Sequence, residues 1–206
     1  MLKRAFDLAV TLPLIVLLAP LMAVVAILIA WHMGRPVLFR QQRPGWHGRP
    51  FQVLKFRTMT HALDAAGQPL PDEARLMPLG AALRRYSLDE LPQLYNVVLG
   101  DLSLVGPRPL LMEYLPLDSP EHARRHEVKP GITGWAQVHG RNAVSWEERL
   151  AMDVWYVDHR SFWLDLKILW LTVRAVFARH GVNHPGHVSM PKFTGTKTPA
   201  NGGNNG

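Results

Sequence analysis

The distribution of apolar and polar positions sets the first part of the chain apart from the rest. Residues 8–31 include no charged side chain, and Thr11 is the single polar one among them. A continuous helix of that length spans ~36 Å, which is enough for the hydrocarbon core of a bilayer. The run is too long for a cleaved signal peptide, and its apolarity on all faces favours contact with lipid over burial in a protein core.

Two features argue against a simple membrane span. Pro20 lies at the centre of the run, where a proline removes a backbone hydrogen bond and clashes with the preceding turn. Basic residues flank the run on both sides, and they are Lys3, Arg4, Arg35, Arg40 and Arg43. The positive-inside bias therefore draws both ends towards the cytoplasm. At this point two alternatives stay open, a re-entrant hairpin of two half-helices and a kinked ordinary span.

The rest of the chain predicts a mixture of short elements. Residues 163–177 have helical periodicity with a basic polar side and two tryptophans, which suits either a membrane surface or the domain core. Alternation over residues 51–59 predicts a strand, and residues 135–139 predict a short second one. A loop rich in Gly, Pro and Ala covers 64–78, and the Gly-, Asn- and Pro-rich residues 181–206 predict a flexible tail.

Charge and composition narrow the function only in part. The 206 residues carry a formal net charge of +7, which suits nucleic acid, anionic lipid or phosphorylated small molecules. The chain has no cysteine, so disulfides, thiolate metal sites and a cysteine nucleophile are excluded. No basic and aromatic interleaving typical of nucleic-acid binding is present, so no nucleic-acid partner is expected.

The most informative segment is the sequence SLDELPQL at residues 87–94. Ser87 and Glu90 have the spacing of a capping box, and Pro92 suits an early helical position. Asp89 and Glu90 are therefore predicted to lie at a helix N-terminus, where the helix dipole favours the ionised carboxylate. Capping alone would explain acids at this position.

Basic residues in other short segments favour a chemical role for this acidic pair. They are Lys55, Arg57, Arg84, Arg85, Arg108 and Arg141. Arg108 lies between two prolines, a stiff context that suits a phosphate-binding guanidinium. A carboxylate that attacks phosphorus needs such cations to shield the phosphoryl oxygens, and the same cations should keep Asp89 ionised. A neighbouring carboxylate can hold Mg²⁺ on a diphosphate.

Three long motifs carry a family resemblance. They read FRQQRPGWHGRPFQVLKFRTM at 39–59, LRRYSLDELPQLYNVVLGDLSLVGPRPL at 83–110 and KPGITGWAQVHGRN at 129–142. Together with Lys3, Arg4, Asp7 and the proline-broken apolar helix, these motifs resemble the monotopic phosphoglycosyl transferases, the bacterial sugar transferase family, in its small single-domain form. The break is usually Ser-Pro in that family and here reads Ala19-Pro20.

The resemblance implies an α+β fold, mainly helical, with a re-entrant membrane helix at 1–34 and a cytoplasmic catalytic domain at 35–180. It implies that Asp89 is the nucleophile and that Glu90 is the ligand of a Mg²⁺ cofactor. Lys55, Arg84 and Arg108 match basic phosphate-handling positions, with Arg57 beside them. Gln137 and Arg141 match a motif near the nucleotide, and Lys3, Arg4 and Pro20 match the membrane segment.

The implied reaction moves a sugar 1-phosphate from a UDP-sugar to polyprenyl phosphate at the cytoplasmic face of the bacterial inner membrane. The expected partners are these two substrates and the lipid bilayer, with downstream glycosyltransferases and a second copy of the chain as further candidates. A membrane-attached nucleic-acid binder and an inactive scaffold of a glycan-assembly complex are the alternatives. The intact set of Asp89, Glu90, Lys55, Arg84 and Arg108 argues against the scaffold.

Overall fold

A computed structural model describes residues 2–140, 144–177 and 192–195. The chain is mainly helical with a small β component, as the sequence predicts. In chain order the elements are α1 (Leu2–Met33), β1 (Leu38–Pro44), β2 (Pro50–Phe56), α2 (Asp72–Arg75), α3 (Pro78–Arg85), α4 (Gln93–Leu99), β3 (Ser103–Val105), α5 (Pro120–Ala123), β4 (Gly131–Thr133), α6 (Trp135–His139), α7 (Trp146–His159) and α8 (Phe162–Phe177). Single 3-10 turns lie at Trp46–Gly48, Leu88–Glu90, Met112–Leu117 and Arg124–Glu127.

Helix α1 is one helical element that contains Pro13 and Pro20, and by length and composition it could cross a membrane. Its 32 residues extend for ~48 Å. One stripe of the helix packs against the rest of the chain through Asp7, Thr11, Met22, Val25 and Ile29. The opposite side exposes large apolar side chains, which are Leu12, Val16, Leu17, Val24, Ile27 and Trp31.

Both halves of α1 are attached to the domain that follows. Near its start, Lys3 forms an ion pair with Asp165 of α8, and Arg4 donates to the carbonyl oxygens of Val97 and Val98. The carboxylate of Asp7 accepts from the Ser103 hydroxyl at 2.9 Å. Lys3 and Arg4, expected as the basic flank of a membrane segment, therefore bind protein groups.

The second half of α1 packs on a core of its own. Val25 and Ile29 contact Phe56 of β2 and Leu83 of α3 in a buried apolar cluster. A second cluster joins the first half of α1 to α4, β3, α7 and α8 around Tyr156 and Ile168. Other elements of the chain thus pack against both halves of α1.

The β component consists of two small sheets. Strands β1 and β2 form an antiparallel hairpin whose register pairs Phe39 with Lys55 and Arg43 with Phe51. Strands β3 and β4 pair in parallel. The predicted strand at 51–59 is present but ends at Phe56. The strand predicted over Trp135–His139 is wrong, because these residues form α6 with helical hydrogen bonds such as Val138 to Gly134.

Helix α8 turns its apolar stripe outward. Trp163 is 77% exposed and Trp170 is 60% exposed, whereas Ile168 is fully buried. The polar Asp165 is also buried, and it accepts a hydrogen bond from the Tyr156 hydroxyl at 2.7 Å. The helix therefore contacts the core through a mixed face and leaves its tryptophans on the surface.

The predicted tail at 181–206 falls largely outside the described residues, since only 192–195 of it are described. Within that stretch, Phe193 is buried against Tyr114 and Trp146, with ring centroids 5.6 Å and 5.4 Å away. The tail and the domain limits at 34 and 180 stay predictions.

Candidate active site

A cavity of about 710 Å³ lies between the β1–β2 hairpin, α3 and the start of α7. Asp89 and Glu90 lie in its wall together with Lys55, Arg84 and Arg108. The fold therefore collects, from two separate sequence motifs, five of the side chains that the sequence selects as candidates. The pocket is open and strongly cationic, which suits a phosphorylated ligand.

The acidic pair occupies the 3-10 turn Leu88–Glu90 and not the first turn of a longer helix. Ser87 before it adopts a left-handed conformation with φ of 55°, and its side chain makes no capping bond. Helix α4 begins at Gln93. The expected capping box of Ser87 and Glu90 is wrong, because the Glu90 carboxylate turns away from the local backbone towards distant cations.

Glu90 is the centre of an ion-pair network. Its Oε1 accepts from Lys55 Nζ at 2.7 Å and from Arg108 Nη2 at 2.6 Å, while Arg108 Nη1 lies 3.5 Å from Oε2. Burial alone would raise the pKa of Glu90, but Arg108 and Lys55 hold it well below its usual range. The guanidinium group of Arg108 thus forms an ion pair with Glu90, and the negative charge of Glu90 raises the pKa of Arg108.

The pKa of Asp89 is shifted in the opposite direction from that of Glu90. The residue is 8% exposed, and among the described residues the side-chain hydrogen bonds of the acidic pair all go to Glu90. Burial and then the charge of Glu90 raise the pKa of Asp89, against the opposing effect of Lys55, Arg84 and Arg108. The expected effect of the cations, which favours ionised Asp89, is present, but desolvation and the charge of Glu90 outweigh it in the net shift of the pKa.

Arg84 reaches the cavity from the last turn of α3. Its Nε donates to the Thr58 hydroxyl at 3.0 Å. This contact depends on a close crossing, because a Cβ on Gly80 would lie 1.9 Å from the carbonyl oxygen of Thr58. The glycine therefore lets α3 approach the end of β2 and brings Arg84 next to Asp89.

Arg57 lies in the cavity wall, but its hydrogen bonds go to the end of α1. It donates to the carbonyl oxygens of Met33, Gly34 and Arg35. These are groups that a helix C-terminus leaves without internal partners. The contacts shown for Arg57 are structural, and its role in substrate binding stays a prediction.

Of the two residues predicted to lie near the nucleotide, Gln137 is not brought to the cavity. Gln137 lies on α6, and no cavity-lining position falls on that helix in the described residues. Both polar atoms of its side chain are buried without a hydrogen-bond partner there. Arg141 lies outside the described residues. The nucleotide-binding roles of both residues stay predictions.

The cavity also contains residues that the sequence does not select as site residues. Gln41 and Arg43 line it from β1, and Tyr114, Trp146 and Arg149 line it from the other side. Alternation along β1 would have placed Gln41 and Arg43 on one face once that strand was recognised. For Arg149 the signal is the capping-box pattern Ser145-x-x-Glu148, which predicts the start of α7 at Trp146, three residues before Arg149.

Carboxylates and phosphate oxygens are the ligands that Mg²⁺ takes in phosphoryl-transfer sites. In the described part of the chain no group of three or more metal-binding side chains is found. A pair of adjacent carboxylates is nevertheless sufficient where a diphosphate supplies further oxygens. Glu90 Oε2, whose one contact with a described residue is the long one from Arg108, is the oxygen best suited to such an ion.

Comparison with known proteins identifies relatives over most of the chain. The sequence model of one family, described as bacterial sugar transferase, matches residues 1–179. The uncharacterised sugar transferase EpsL of Bacillus subtilis strain 168 is 55% identical over 95% of this chain and 96% of its own length. A UDP-glucose:undecaprenyl-phosphate glucose-1-phosphate transferase of Caulobacter vibrioides is 41% identical over 83% of this chain and 68% of its own. An undecaprenyl-phosphate glucose phosphotransferase of Komagataeibacter xylinus is 43% identical over 86% of this chain, and the match spans only 36% of that protein.

Proposed function

The chain belongs to the bacterial sugar transferase family, and we propose that it transfers a sugar 1-phosphate from a UDP-sugar to polyprenyl phosphate through a covalent intermediate on Asp89. The single observation that carries this proposal is the buried Asp89 carboxylate beside the network of Glu90, Lys55 and Arg108 in a cationic cavity. Relatives named as undecaprenyl-phosphate sugar transferases support the two substrates.

The proposed reaction has two displacements at one phosphorus atom. A carboxylate oxygen of Asp89 attacks the phosphorus next to the sugar, and the bond from that phosphorus to the bridging oxygen breaks. UMP leaves with the bonding electrons, and a sugar-phosphoryl aspartate forms. A phosphate oxygen of polyprenyl phosphate then attacks the same phosphorus, which releases polyprenyl diphosphate sugar and restores the Asp89 carboxylate.

The other side chains position and neutralise charge. Arg84 lies on the Asp89 side of the cavity, held by Thr58, where it can contact the transferred phosphoryl oxygens. Lys55 and Arg108 fix the Glu90 carboxylate beside the nucleophile. Mg²⁺ bound by Glu90 would add positive charge to the diphosphate and assist departure of UMP.

Attachment of α1 along its length supports a membrane helix whose two ends stay on one side. The protein-bound Thr11 and Met22 are separated by 11 positions, which is ~16 Å of helix and much less than the ~30 Å hydrocarbon core. A perpendicular span would therefore pull the catalytic domain into lipid. A re-entrant α1 on the cytoplasmic face, with its apolar side and the exposed tryptophans of α8 in lipid, agrees with this constraint.

The experiment that tests the mechanism is a single-turnover reaction in nanodiscs without acceptor. We expect a burst of UMP near one per active site and one sugar phosphate added to the peptide that contains Asp89, using a panel of UDP-sugars. Asp89→Asn should lower the burst rate by on the order of 10⁴-fold or more, because asparagine offers no nucleophilic oxygen anion. Asp158→Asn, a surface carboxylate paired with Arg124, is the matched control and should react as the native chain does.

A wild-type protein that turns over with acceptor but shows no burst would contradict the two-step mechanism. Unchanged turnover in Asp89→Asn would contradict the assignment of the nucleophile. A protein that releases no UMP from any UDP-sugar, with or without acceptor, would contradict the proposed function itself.

A further inference from the structure

Arg108 reaches Glu90 from residues 107–110, which belong to no helix or strand. The flanking Pro107 and Pro109 have no backbone N–H, so they contribute only carbonyl oxygens to hydrogen bonds. The position of this segment therefore depends on donors from other parts of the chain.

Two carbonyl oxygens of the segment accept hydrogen bonds from residues that are distant in sequence. The carbonyl oxygen of Pro107 accepts from the N–H of Gly131 at 3.0 Å, at the start of β4. The carbonyl oxygen of Arg108 accepts from Arg125 Nη2 at 2.5 Å. The bond from Arg125 therefore holds the backbone of the residue whose side chain contacts Glu90.

Arg125 is a buried cation that needs a counter-charge. It is 3% exposed, and the same Nη2 atom donates to Asp153 Oδ2 at 2.7 Å. Asp153 lies on α7 and is 2% exposed, so both members of the ion pair are shielded from water. One nitrogen of Arg125 thus links α7 to the backbone of Arg108.

Neither member of this ion pair lines the cavity in the part of the chain that the structure describes, whereas Arg108 does. A buried ion pair is weak evidence for added stability, because desolvation of the two charges offsets much of their attraction. The contact with the Arg108 carbonyl has a second effect, which is to fix the point from which the guanidinium extends.

The ion pair between Arg108 and Glu90 is sensitive to that point. A shift of ~1 Å in the backbone would lengthen the 2.6 Å bond between Arg108 Nη2 and Glu90 Oε1 beyond the usual range of hydrogen bonds. A misplacement of about that size in an active site costs up to about 10²-fold in rate.

We propose that Arg125, with its charge balanced by Asp153, is a positioning residue that holds the backbone of Arg108 where its guanidinium meets Glu90. This inference rests on the proposed function, in which Glu90 lies beside the nucleophile. Arg125 acts through Arg108 and not on the substrate. A determinant of the transfer rate therefore lies behind the cavity wall, in a buried ion pair with α7.

The test is a double-mutant cycle between Arg125 and Arg108, with the rate of the UMP burst in nanodiscs as the readout. Arg125→Gln should slow the burst about tenfold or more in the native background. In the Arg108→Gln background the same change should slow it less than about twofold, because the side chain that Arg125 positions is already absent. Arg125→Lys should recover part of the loss, since a single ammonium group can donate to both oxygens.

The pH dependence of the burst separates positioning from a general loss of folded protein. Burial and the charge of Glu90 raise the pKa of Asp89, and three cations oppose this rise, which are Lys55, Arg84 and Arg108. With Arg108 displaced in Arg125→Gln, the acid midpoint of the burst rate should move to higher pH. A smaller folded fraction alone would lower the burst amplitude and leave the midpoint in place.

Arg124→Gln is the matched control. Arg124 is the preceding residue and also pairs with an aspartate of α7, Asp158, but its side chain is 42% exposed. Its other ion pair is with Glu127 in the same turn. Arg124→Gln should therefore keep the native burst rate and the native midpoint.

A native burst rate in Arg125→Gln would overturn the positioning role. Equal slowing by this change in the native and Arg108→Gln backgrounds would overturn it as well. If Arg125→Gln does not fold, as judged by its thermal unfolding, Arg125→Lys takes its place in the cycle and should show a smaller loss that again disappears in the Arg108→Gln background.

The NMR resonances of the Arg108 guanidinium nitrogens, assigned by their loss in Arg108→Gln, give a readout without turnover. They should shift in Arg125→Gln and stay in place in Arg124→Gln, and unchanged resonances in Arg125→Gln would overturn the inference. A native chain that releases no UMP while these resonances shift as expected would contradict the proposed function and still support the positioning of Arg108.

Discussion

The pattern Ser-x-x-Glu occurs in two regions of the molecule with opposite outcomes. At 145–148 it forms a complete capping box, in which Ser145 Oγ accepts from the Glu148 N–H at 3.1 Å and Glu148 Oε2 accepts from the Ser145 N–H at 2.9 Å. At 87–90 no such bonds form, and Glu90 binds Lys55 and Arg108.

The difference lies in the surroundings of each glutamate. Glu148 is exposed, and the backbone N–H of Ser145 is the partner shown for its carboxylate. Glu90 faces two cations that come from 35 and 18 residues away in the chain. Charge-assisted bonds to a partly buried carboxylate are stronger than bonds to a local N–H, so the long-range partners prevail.

The largest expected effect is a difference in the UMP burst rate between variants of the two glutamates, Glu90 and Glu148. Glu90→Gln should slow the UMP burst by about 10²-fold or more, because Lys55 and Arg108 lose the charge that positions them beside Asp89. Glu148→Gln should leave the burst rate unchanged, since glutamine still completes a capping box. Rapid-quench measurement of UMP release checks both variants. Equal losses in the two would mean that Glu90 acts only as a local structural residue.

The second prediction concerns the pH dependence of the burst rate, which depends on the pKa of Asp89. The pKa of Asp89 is raised above the ordinary value of 3.8, and the ionised form is the nucleophile. The burst rate should therefore fall on the acid side by about tenfold per pH unit, with a midpoint above 3.8. Lys55→Met should move this midpoint to higher pH, because Lys55 lowers the pKa of Asp89.

A pH–rate profile of the single-turnover reaction checks this midpoint. Glu148→Gln serves as the control and should leave the profile where it is. A midpoint that does not move in Lys55→Met would show that distant cations do not control the acidic pair.

The smallest expected effect concerns the two serines. Ser145→Ala should lower the free energy of unfolding by about 1 kcal/mol, because α7 loses its N-cap. Ser87→Ala should lower it by less than ~0.5 kcal/mol, since the Ser87 side chain makes no capping bond. Denaturant unfolding in detergent checks both, and equal costs would contradict the different roles of the two serines.

The sequence predicts those features that depend on local pattern or on long motifs. The helix α8, the strand at 51–56 and the meeting of Asp89 and Glu90 with Lys55, Arg84 and Arg108 follow from it and are observed. Two errors arise where one short pattern permits two structures, at 135–139 and at 87–90.

Features that depend on contacts between distant segments could not be predicted from the sequence. Arg43 enters the cavity only because β1 pairs with β2 in the register that sets Arg43 opposite Phe51. The direction of the Asp89 pKa shift depends on burial, which a sequence does not state. Arg57 follows Lys55 by two positions, but Lys55 donates to Glu90 in the cavity whereas Arg57 donates to the end of α1. This difference in partners depends on how α1 packs against β2, which the sequence does not state.

The bond between Asp7 and Ser103 has a consequence for biosynthesis. These partners are 96 residues apart, so at 5–20 residues per second the ribosome needs on the order of 5–20 s to supply Ser103 after Asp7. During that interval the apolar α1 is already available to lipid, while Asp7 has no protein partner from this contact. With the membrane insertion of α1 proposed above, the nascent chain would meet the membrane first, and the rest of the chain would pack later against a helix that is already embedded.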